Sequence, residues 1–272
     1  LSTTIRRDGS SRFRDDKWGT FGSVGAAWVV SNEDFMSSQS ALSSLKLKAS
    51  YGLIGDQAGV GYYPGYDLYS VDNVNNQPGF TLTTPGNRAL TWETSKMFQT
   101  GVEFGLGNYL EGSIDYYVKN TDDLIFDVRT APSTGIAIMT SNAGSLQNKG
   151  LEFDLTGHLV KTSDFRLDLS VNGEKFTNKI TEMPIDPSTG KPKAIDVQGI
   201  YGWSEGHSVF DYYLREFAGV DAANGTSTWT VHYIDANGNG SYDKGEGIGN
   251  LTDYLASNPD QAGSILQGTT DT

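Results

Sequence analysis

Hydrophobic and polar residues alternate along much of the chain, which is the pattern of β-strands with two unlike faces. The clearest case is segment 165–172, which reads Phe-Arg-Leu-Asp-Leu-Ser-Val-Asn. Segment 151–156 follows the same rule with Leu-Glu-Phe-Asp-Leu-Thr. The pattern predicts strands over the following ranges: 1–7, 20–30, 45–52, 94–106, 110–119, 124–129, 151–160 and 165–176.

Alternation alone is compatible with two kinds of all-β protein. In a soluble sandwich the apolar side chains of each strand face a protein core. In an outer-membrane barrel they face lipid, and the polar side chains line a water-filled lumen. The alternation therefore does not choose between the two.

The lengths of the connections favour a barrel. Segments 107–109 and 161–164 are short turns and 31–44 is a medium one, whereas 8–19, 53–93, 130–149 and the residues after about 179 are long. If the strands run alternately up and down, every long connection falls on one side. Short turns on one side and long loops on the other are typical of outer-membrane barrels. Long irregular loops would count against a compact soluble domain.

Composition removes several classes of function. The 272 residues carry a formal net charge of −13, so neutralisation of nucleic-acid phosphates is not expected. Cysteine is absent, which excludes disulfides and zinc–thiolate sites. No apolar run approaches the ~20 residues of a membrane-spanning helix, and no signal peptide is visible. Because the first residue is Leu1 and not Met, we expect the chain to be cut from a longer protein.

No catalytic residues are predicted. The histidines His158, His207 and His232 do not have metal-binding spacing, and no Gly-x-Ser-x-Gly motif is present. The neighbouring carboxylates Asp122 and Asp123 are more typical of a solvated loop than of a glycosidase pair.

Segment 235–246 has the pattern of a calcium-binding loop, D-x-[DN]-x-[DN]-G-x5-E. Its oxygen ligands suit Ca²⁺, with Gly240 at the sharp bend. The candidate ligands are Asp235, Asn237, Asn239, Ser241, Asp243 and Glu246. The preceding segment, 229–234, is typical of a strand and not of the helix that enters an EF-hand. An Asn-Gly-rich turn without metal therefore stays open as the alternative, and either reading implies a structural role.

A tyrosine-rich segment is the candidate for contacts with substrate or partner. Its members are Tyr62, Tyr63, Tyr66 and Tyr69. Such rings could stack on sugars or contact a partner protein. Packing among neighbouring loops is the alternative.

Several short motifs, in a fixed order, resemble the SusC/RagA family of TonB-dependent transporters. Segment 6–13 reads Arg-Arg-Asp-Gly-Ser-Ser-Arg-Phe, and 18–24 reads Trp-Gly-Thr-Phe-Gly-Ser-Val. Leu-Lys-Leu-Lys-Ala-Ser-Tyr-Gly follows at 45–52, and Leu-Thr-Trp-Glu-Thr at 90–94. Segment 142–152 has the family's N-x-G-x-x-x-N-x-G-x-E pattern. The resemblance covers most of the chain, although Gly22 stands where the family usually has Pro.

The resemblance implies a partial antiparallel transmembrane β-barrel with long extracellular loops, located in the bacterial outer membrane. Residues 1–178 would hold barrel strands and loops, and 179–272 a long extracellular loop region with a small hairpin. The family's plug and terminal strands are not visible in the sequence. The implied activity is import of glycans or peptides, with a SusD-like surface lipoprotein as lid and the TonB complex as energy source.

Two soluble alternatives stay open. The first is a secreted calcium-binding β-sandwich that binds carbohydrate. The second is a β-rich glycoside hydrolase. A sandwich requires the apolar residues of segment 165–171 to face a second sheet, whereas a barrel requires them to face lipid.

Overall fold

The computed structural model describes residues 1–74, 76–129, 138–187, 189–249 and 251–270. Of the predicted long connection 130–149, residues 130–137 lie outside the described part. In chain order the strands are β1 (Ser2–Gly9), β2 (Trp18–Val29), β3 (Leu42–Asp56), β4 (Leu68–Val74), β5 (Gln77–Thr84), β6 (Glu93–Leu106), β7 (Leu110–Asp122), β8 (Ile125–Arg129), β9 (Ile138–Asn142), β10 (Ser145–Lys161), β11 (Arg166–Glu182), β12 (Ile185–Asp186), β13 (Lys191–Pro192), β14 (Asp196–Gln198), β15 (Tyr201–Trp203), β16 (Phe217–Val220), β17 (Ser227–Tyr233) and β18 (Leu266–Thr270). One α-helix is described, α1 (Leu251–Ser257), together with 3-10 turns at Val30–Asn32, Asp34–Met36 and Pro259–Ser264. Within these described ranges, no helix has both the length and the apolar character needed to cross a bilayer.

The chain divides into two units, Leu1–Asp211 and Tyr212–Thr272. The first is built on a seven-stranded sheet in the order β1-β2-β3-β6-β7-β10-β11. Every neighbouring pair in it is antiparallel. The predicted up-and-down order and the all-β fold class are therefore confirmed. The predicted strand at 124–129 forms β8, which pairs with β9 in a separate hairpin.

Side chains of opposite character occupy the two faces of the large sheet. Cross-strand pairing places Trp28, Leu47, Val102, Ile114 and Phe153 in one row across five strands. We call this side the apolar face. It is not covered by protein in the described part of the chain, and Trp28 and Leu47 are 49% and 42% exposed.

The opposite side is the polar face. The adjacent row on this side consists of Lys46, Glu103, Ser113, Asp154 and Asn172. Because successive side chains of a strand point to opposite faces, the alternation along each strand becomes this separation across the sheet.

The two edges at the strand ends also differ. The turn-side edge carries the short turns 107–109 and 162–165 and the medium connection 30–41. The loop-side edge carries the long connections, including the β4–β5 and β8–β9 hairpins and residues 183–211. Strands β10 and β11, each of 17 residues, extend further toward this edge than the alternation predicts. The prediction that the longest connections share one edge is confirmed, although the β1–β2 connection 10–17, predicted to be long, is shorter than 30–41 on the opposite edge.

A small hydrophobic core anchors the loops at the loop-side edge. Phe13, Phe21, Val60, Leu90 and Trp92 form this cluster, and Phe13 and Leu90 are fully buried. The Trp92 ring meets Phe13 and Phe21 edge-to-face, with ring centroids 5.3 and 5.6 Å apart. The cluster ties three connections to strand β2 because its members come from 10–17, 57–66 and 87–92.

The second unit contains a three-stranded antiparallel sheet in the order β16-β17-β18, together with helix α1. Tyr233, at the end of β17, is buried against the Tyr242 ring, with centroids 5.6 Å apart.

Replacing Gly55 by Ala should destabilise the loop core. A Cβ at this position would overlap the Phe21 ring, whereas a Cβ at Gly61 would meet nothing within 4 Å. We expect Gly55→Ala to lower the free energy of unfolding by about 1–3 kcal/mol, as overpacking does, and Gly61→Ala to change it by less than about 0.5 kcal/mol. Denaturant unfolding of the intact protein in lipid vesicles measures both. Equal effects of the two substitutions would contradict the packing described here.

Candidate functional site

The polar face carries a network of ion pairs near its centre. Lys46 Nζ lies 3.0 Å from Glu103 Oε2, and Lys48 Nζ lies 3.1 Å from Glu103 Oε1. Lys48 Nζ also lies 3.1 Å from Asp115 Oδ2. Asp115 is buried, and its Oδ1 has no hydrogen-bond partner among the described residues. The network holds charges of both signs near the centre of the polar face.

Strand register produces this network, which the sequence analysis did not identify. Lys46 lies directly opposite Glu103, and Gly101 lies opposite both Lys48 and Asp115. Gly101 provides the space, since a Cβ there would collide with the Asp115 carboxylate. Lys46 and Lys48 are two residues apart in a predicted strand. This spacing alone could have indicated that their side chains share a face.

Further polar contacts continue across the face to β11. Tyr117 Oη donates to Glu174 Oε1 at 2.5 Å, and the hydroxyls of Thr156 and Ser170 are 2.9 Å apart. His158 Nδ1 lies 2.7 Å from Asp168 Oδ1, close to the turn-side edge. Together with the ion pairs, these contacts involve side chains of five strands, β3, β6, β7, β10 and β11, which gives this face a fixed hydrophilic surface.

Three of the four predicted tyrosines lie together in a loop at the loop-side edge. The guanidinium carbon of Arg12 lies 5.5 Å from the centre of the Tyr62 ring, and that of Arg14 lies 5.2 Å from the Tyr66 ring. Arg12 also donates to the backbone oxygen of Val60 at 3.0 Å, so it connects this ring to the loop backbone. Cation–π contacts of this kind hold aromatic rings in place.

The tyrosine rings differ in their accessibility. Tyr62 and Tyr63 are 77% and 63% exposed, and Tyr66 is half-buried. Tyr69 lies apart from them on strand β4, opposite Leu82. Tyr69 is also open, at 58% exposed, so Tyr62 and Tyr63 are the two exposed members that lie together in the loop.

The predicted calcium loop forms a closed turn. N–H groups of the loop itself donate hydrogen bonds to its carboxylates. Asp235 Oδ1 accepts the Gly238 N–H at 2.7 Å, and Oδ2 accepts the Gly240 N–H at 2.6 Å. Both glycines have left-handed backbone conformations, with φ of 74° and 76°. The Glu246 carboxylate accepts N–H groups of Ala236 and Asp243, at 3.0 and 3.1 Å.

The remaining candidate ligands lie on the same turn. Asn237 and Asn239 each donate a side-chain N–H to Asp243 Oδ2 at 2.7 Å, and Ser241 donates its backbone N–H to Asn239. Across the described ranges, no three His, Cys, Asp or Glu side chains are arranged to hold a metal ion. The chemistry of the donor set, with three carboxylates and two amides in one twelve-residue loop, fits a hard cation.

The backbone of this loop also determines its electrostatics. Hydrogen bonds from backbone N–H groups favour the charged form of Asp235 and lower the pKa of its carboxyl. The hydrogen bond from the Gly240 N–H has the largest effect. The entering segment is strand β17, as the sequence analysis predicted for 229–234, so the flanks differ from those of an EF-hand.

Comparisons with known proteins agree on one family. A family model described as "TonB dependent receptor-like, beta-barrel" matches residues 1–271. The TonB-dependent receptor SusC of Bacteroides thetaiotaomicron is 33% identical over 284 residues, covering 98% of this chain and 27% of the receptor. The TonB-dependent receptor P26 of Formosa agariphila is 38% identical over 188 residues, covering 67% of this chain and 19% of the receptor.

Solved structures give the same result at the level of the backbone. The structure of the RagAB peptide transporter matches 99% of this chain and 27% of its own, with a TM-score of 0.75 and 26% sequence identity. The RagAB peptide importer in its closed-closed state matches 90% of this chain and 26% of its own, with a TM-score of 0.73 and 27% identity. The chain spans about a quarter of the length of SusC and of these importer chains.

Acid should selectively weaken the 235–246 loop. A carboxyl whose pKa is lowered by folding stabilises the folded form fully above its unfolded-state value, 3.8, and loses this contribution as the pH falls through the lower folded-state pKa. We therefore expect Asp235→Asn to lower the melting temperature of the intact protein at pH 5–7. The difference between variant and wild type should shrink below about pH 3.8. A difference that stays constant down to pH 2 would contradict this account.

Proposed function

Because the chain belongs to the TonB-dependent receptor β-barrel family of the bacterial outer membrane, and to its SusC/RagA type, we propose that the protein imports glycans or peptides. The observation that carries the proposal is the single sheet with one apolar, uncovered face and one charged, hydrogen-bonded face. The first face suits lipid and the second suits an aqueous passage.

The proposed mechanism is vectorial and contains no chemical step on the substrate. The polar face offers fixed donors and acceptors of both signs to a hydrated solute. The TonB complex supplies the energy for uptake. We assign no catalytic residue, which agrees with relatives that are named as receptors and importers.

A SusD-like lipoprotein is the proposed lid at the loop-side edge. The resemblance to SusC and to the two-part RagAB importer supports such a partner. Tyr62 and Tyr63 are the proposed contacts to substrate or lid because they are exposed and their loop is braced by Arg12 and Arg14.

The 235–246 loop is proposed to bind a structural Ca²⁺ ion. Asp235, Asp243 and Glu246 would supply carboxylate oxygens, and Asn237, Asn239 and Ser241 would supply neutral ones. The ion would stabilise the loop. On binding, carboxylate oxygens that accept hydrogen bonds from N–H groups of the loop would contact the ion instead.

Uptake by cells that express the intact protein with its lipoprotein partner tests the proposed import. Fluorescent malto-oligosaccharides and a labelled tryptic peptide mixture serve as the two probes. We expect one probe to accumulate and a protonophore to abolish its accumulation. Uptake of neither probe, or uptake unaffected by the protonophore, would contradict active import.

The tyrosine assignment predicts a position-dependent loss of uptake. Tyr62→Ala combined with Tyr63→Ala should reduce uptake about tenfold, equivalent to about 1.4 kcal/mol. The matched control is Tyr109→Ala, which removes a tyrosine that is 79% exposed at the turn-side edge. Equal uptake by the double variant and the control would exclude these rings as contacts.

Calcium should raise the melting temperature of the intact protein. A ligand at 100 times its Kd that binds only the folded state adds about 2.7 kcal/mol of stability. Glu246→Gln should abolish the calcium-dependent shift because it removes the bidentate carboxylate, whereas Asp260→Asn, at an exposed position of the same unit, should retain it. A wild-type melting temperature that does not respond to Ca²⁺ would exclude the site.

A further inference from the structure

A cavity of about 120 Å³ lies at the loop-side edge of the first unit, where strand β8, the end of β11 and the segment after it meet. Its walls include Phe126, Ile180, Met183, Trp203 and Val209. Ile180 and Met183 are buried, and the rings of Phe126 and Trp203 lie 5.7 Å apart. None of these residues belongs to a motif considered in the sequence analysis. Phe126 lies in the predicted strand 124–129, and the other four lie in the long region after 179.

Hydrogen bonds hold the wall of the cavity in place. Trp203 Nε1 donates to the backbone oxygen of Val209 at 3.0 Å. The backbone N–H of Ile180 donates to His207 O, and the Gly206 N–H donates to Ile180 O, both at 2.8 Å. The segment that follows β15 is thereby tied back to β11, and the space between them is preformed.

The size and lining of the cavity select a small apolar group. An apolar cavity of about 150 Å³ in another protein binds benzene. The present cavity is slightly smaller, so it suits one branched aliphatic side chain of leucine size. A sugar ring would lose the hydration of several hydroxyls against Phe126, Met183 and Val209, which cannot replace those hydrogen bonds.

Negative charge surrounds this apolar space. The lining includes four carboxylates and one ammonium group, a formal charge of −3. These residues are Asp127, Glu182, Asp186, Asp196 and Lys193. Lys193 forms an ion pair with Asp196, so its charge is directed away from Asp127 and Glu182.

Two of these carboxylates are bonded to neutral groups. Asp127 Oδ1 accepts the Thr140 hydroxyl at 2.7 Å, and Glu182 Oε2 accepts the Ser145 hydroxyl at 3.4 Å. Hydroxyl donors leave the charge of a carboxylate in place. The charges of Asp127 and Glu182 are therefore able to attract a cation, although their exposure makes the attraction dependent on salt.

We propose that this cavity binds an apolar side chain with an adjacent positive charge, and specifically the free amino terminus of a peptide whose first residue is of leucine size. The side chain would enter the cavity, and the ammonium group would lie near Asp127 and Glu182. The interpretation of this ligand as cargo rests on the proposed import function, whereas binding itself does not.

Binding of three small probes to the intact protein in detergent tests the proposal. Leucinamide has both the apolar side chain and the ammonium group, N-acetyl-leucinamide lacks the charge, and maltose lacks both. Trp203 lies in the wall, so its fluorescence reports occupancy, and Trp203→Phe identifies its part of the signal. We expect saturable binding of leucinamide, at least tenfold weaker binding of N-acetyl-leucinamide, and none of maltose.

Three variants assign the binding to this cavity. Val128→Trp should abolish leucinamide binding because it fills the space from strand β8. Asp127→Asn combined with Glu182→Gln should weaken it about tenfold and remove most of its salt dependence. Glu205→Gln is the control because Glu205 is exposed and does not line the cavity. If Val128→Trp does not fold, the double variant Asp127→Asn with Glu182→Gln still tests the proposal.

The outcomes separate this proposal from the import function. Equal binding of leucinamide and N-acetyl-leucinamide, or unchanged leucinamide binding by both cavity variants, would overturn the proposal. Cells that import a substrate through a protein that does not bind leucinamide would refute the cavity assignment alone. Leucinamide binding by a protein that imports neither probe would refute the import function and leave the binding site standing.

Discussion

The need to satisfy every backbone hydrogen bond away from water is the constraint on which the rest of the structure depends. In the hydrocarbon of a bilayer, an unpaired N–H or C=O group costs several kcal/mol, so strands must pair continuously. The seven antiparallel strands meet this need along their shared ladders. Once the backbone is paired, each side chain points to one of the two faces of the sheet. Apolar side chains point to the face that suits lipid, and polar side chains to the face that suits water.

The same separation connects the fold to transport. The row from Trp28 to Phe153 presents hydrocarbon and aromatic rings on one side. On the other side, Lys48 joins Glu103 to Asp115 across three strands, which provides a hydrated wall of fixed charges. The loops at one edge are anchored to the polar face through Phe21 and Trp92. Exposed tyrosines and an acid-rimmed cavity are thus held at the edge where we propose that substrate and lid bind.

Alternation and connection length were sufficient to predict the seven strands of the large sheet, their up-and-down order and the side on which the loops lie, but not the β4–β5 hairpin within the predicted long connection 53–93. They were less informative about strand ends, because residues 145–150 pair in the ladder of β10 without alternating in character. The ion-pair network required the register, since Lys46 and Glu103 are 57 residues apart. The cavity could not be predicted, because Phe126, Ile180 and Trp203 come from separate segments that no short motif connects. The calcium motif identified its residues, but not that the Asp235 carboxylate binds the loop's own amides.

The two faces of strand β11 can be distinguished most directly by spin labels at successive positions from 167 to 172 of the intact protein in lipid vesicles. Collision with oxygen reports lipid, and collision with a water-soluble nickel complex reports the aqueous passage. The account predicts strict alternation, with oxygen favoured at Leu167, Leu169 and Val171 and nickel favoured at Asp168, Ser170 and Asn172. Equal accessibility to both reagents along the segment, or protection of Leu167 and Leu169 from both, would contradict it.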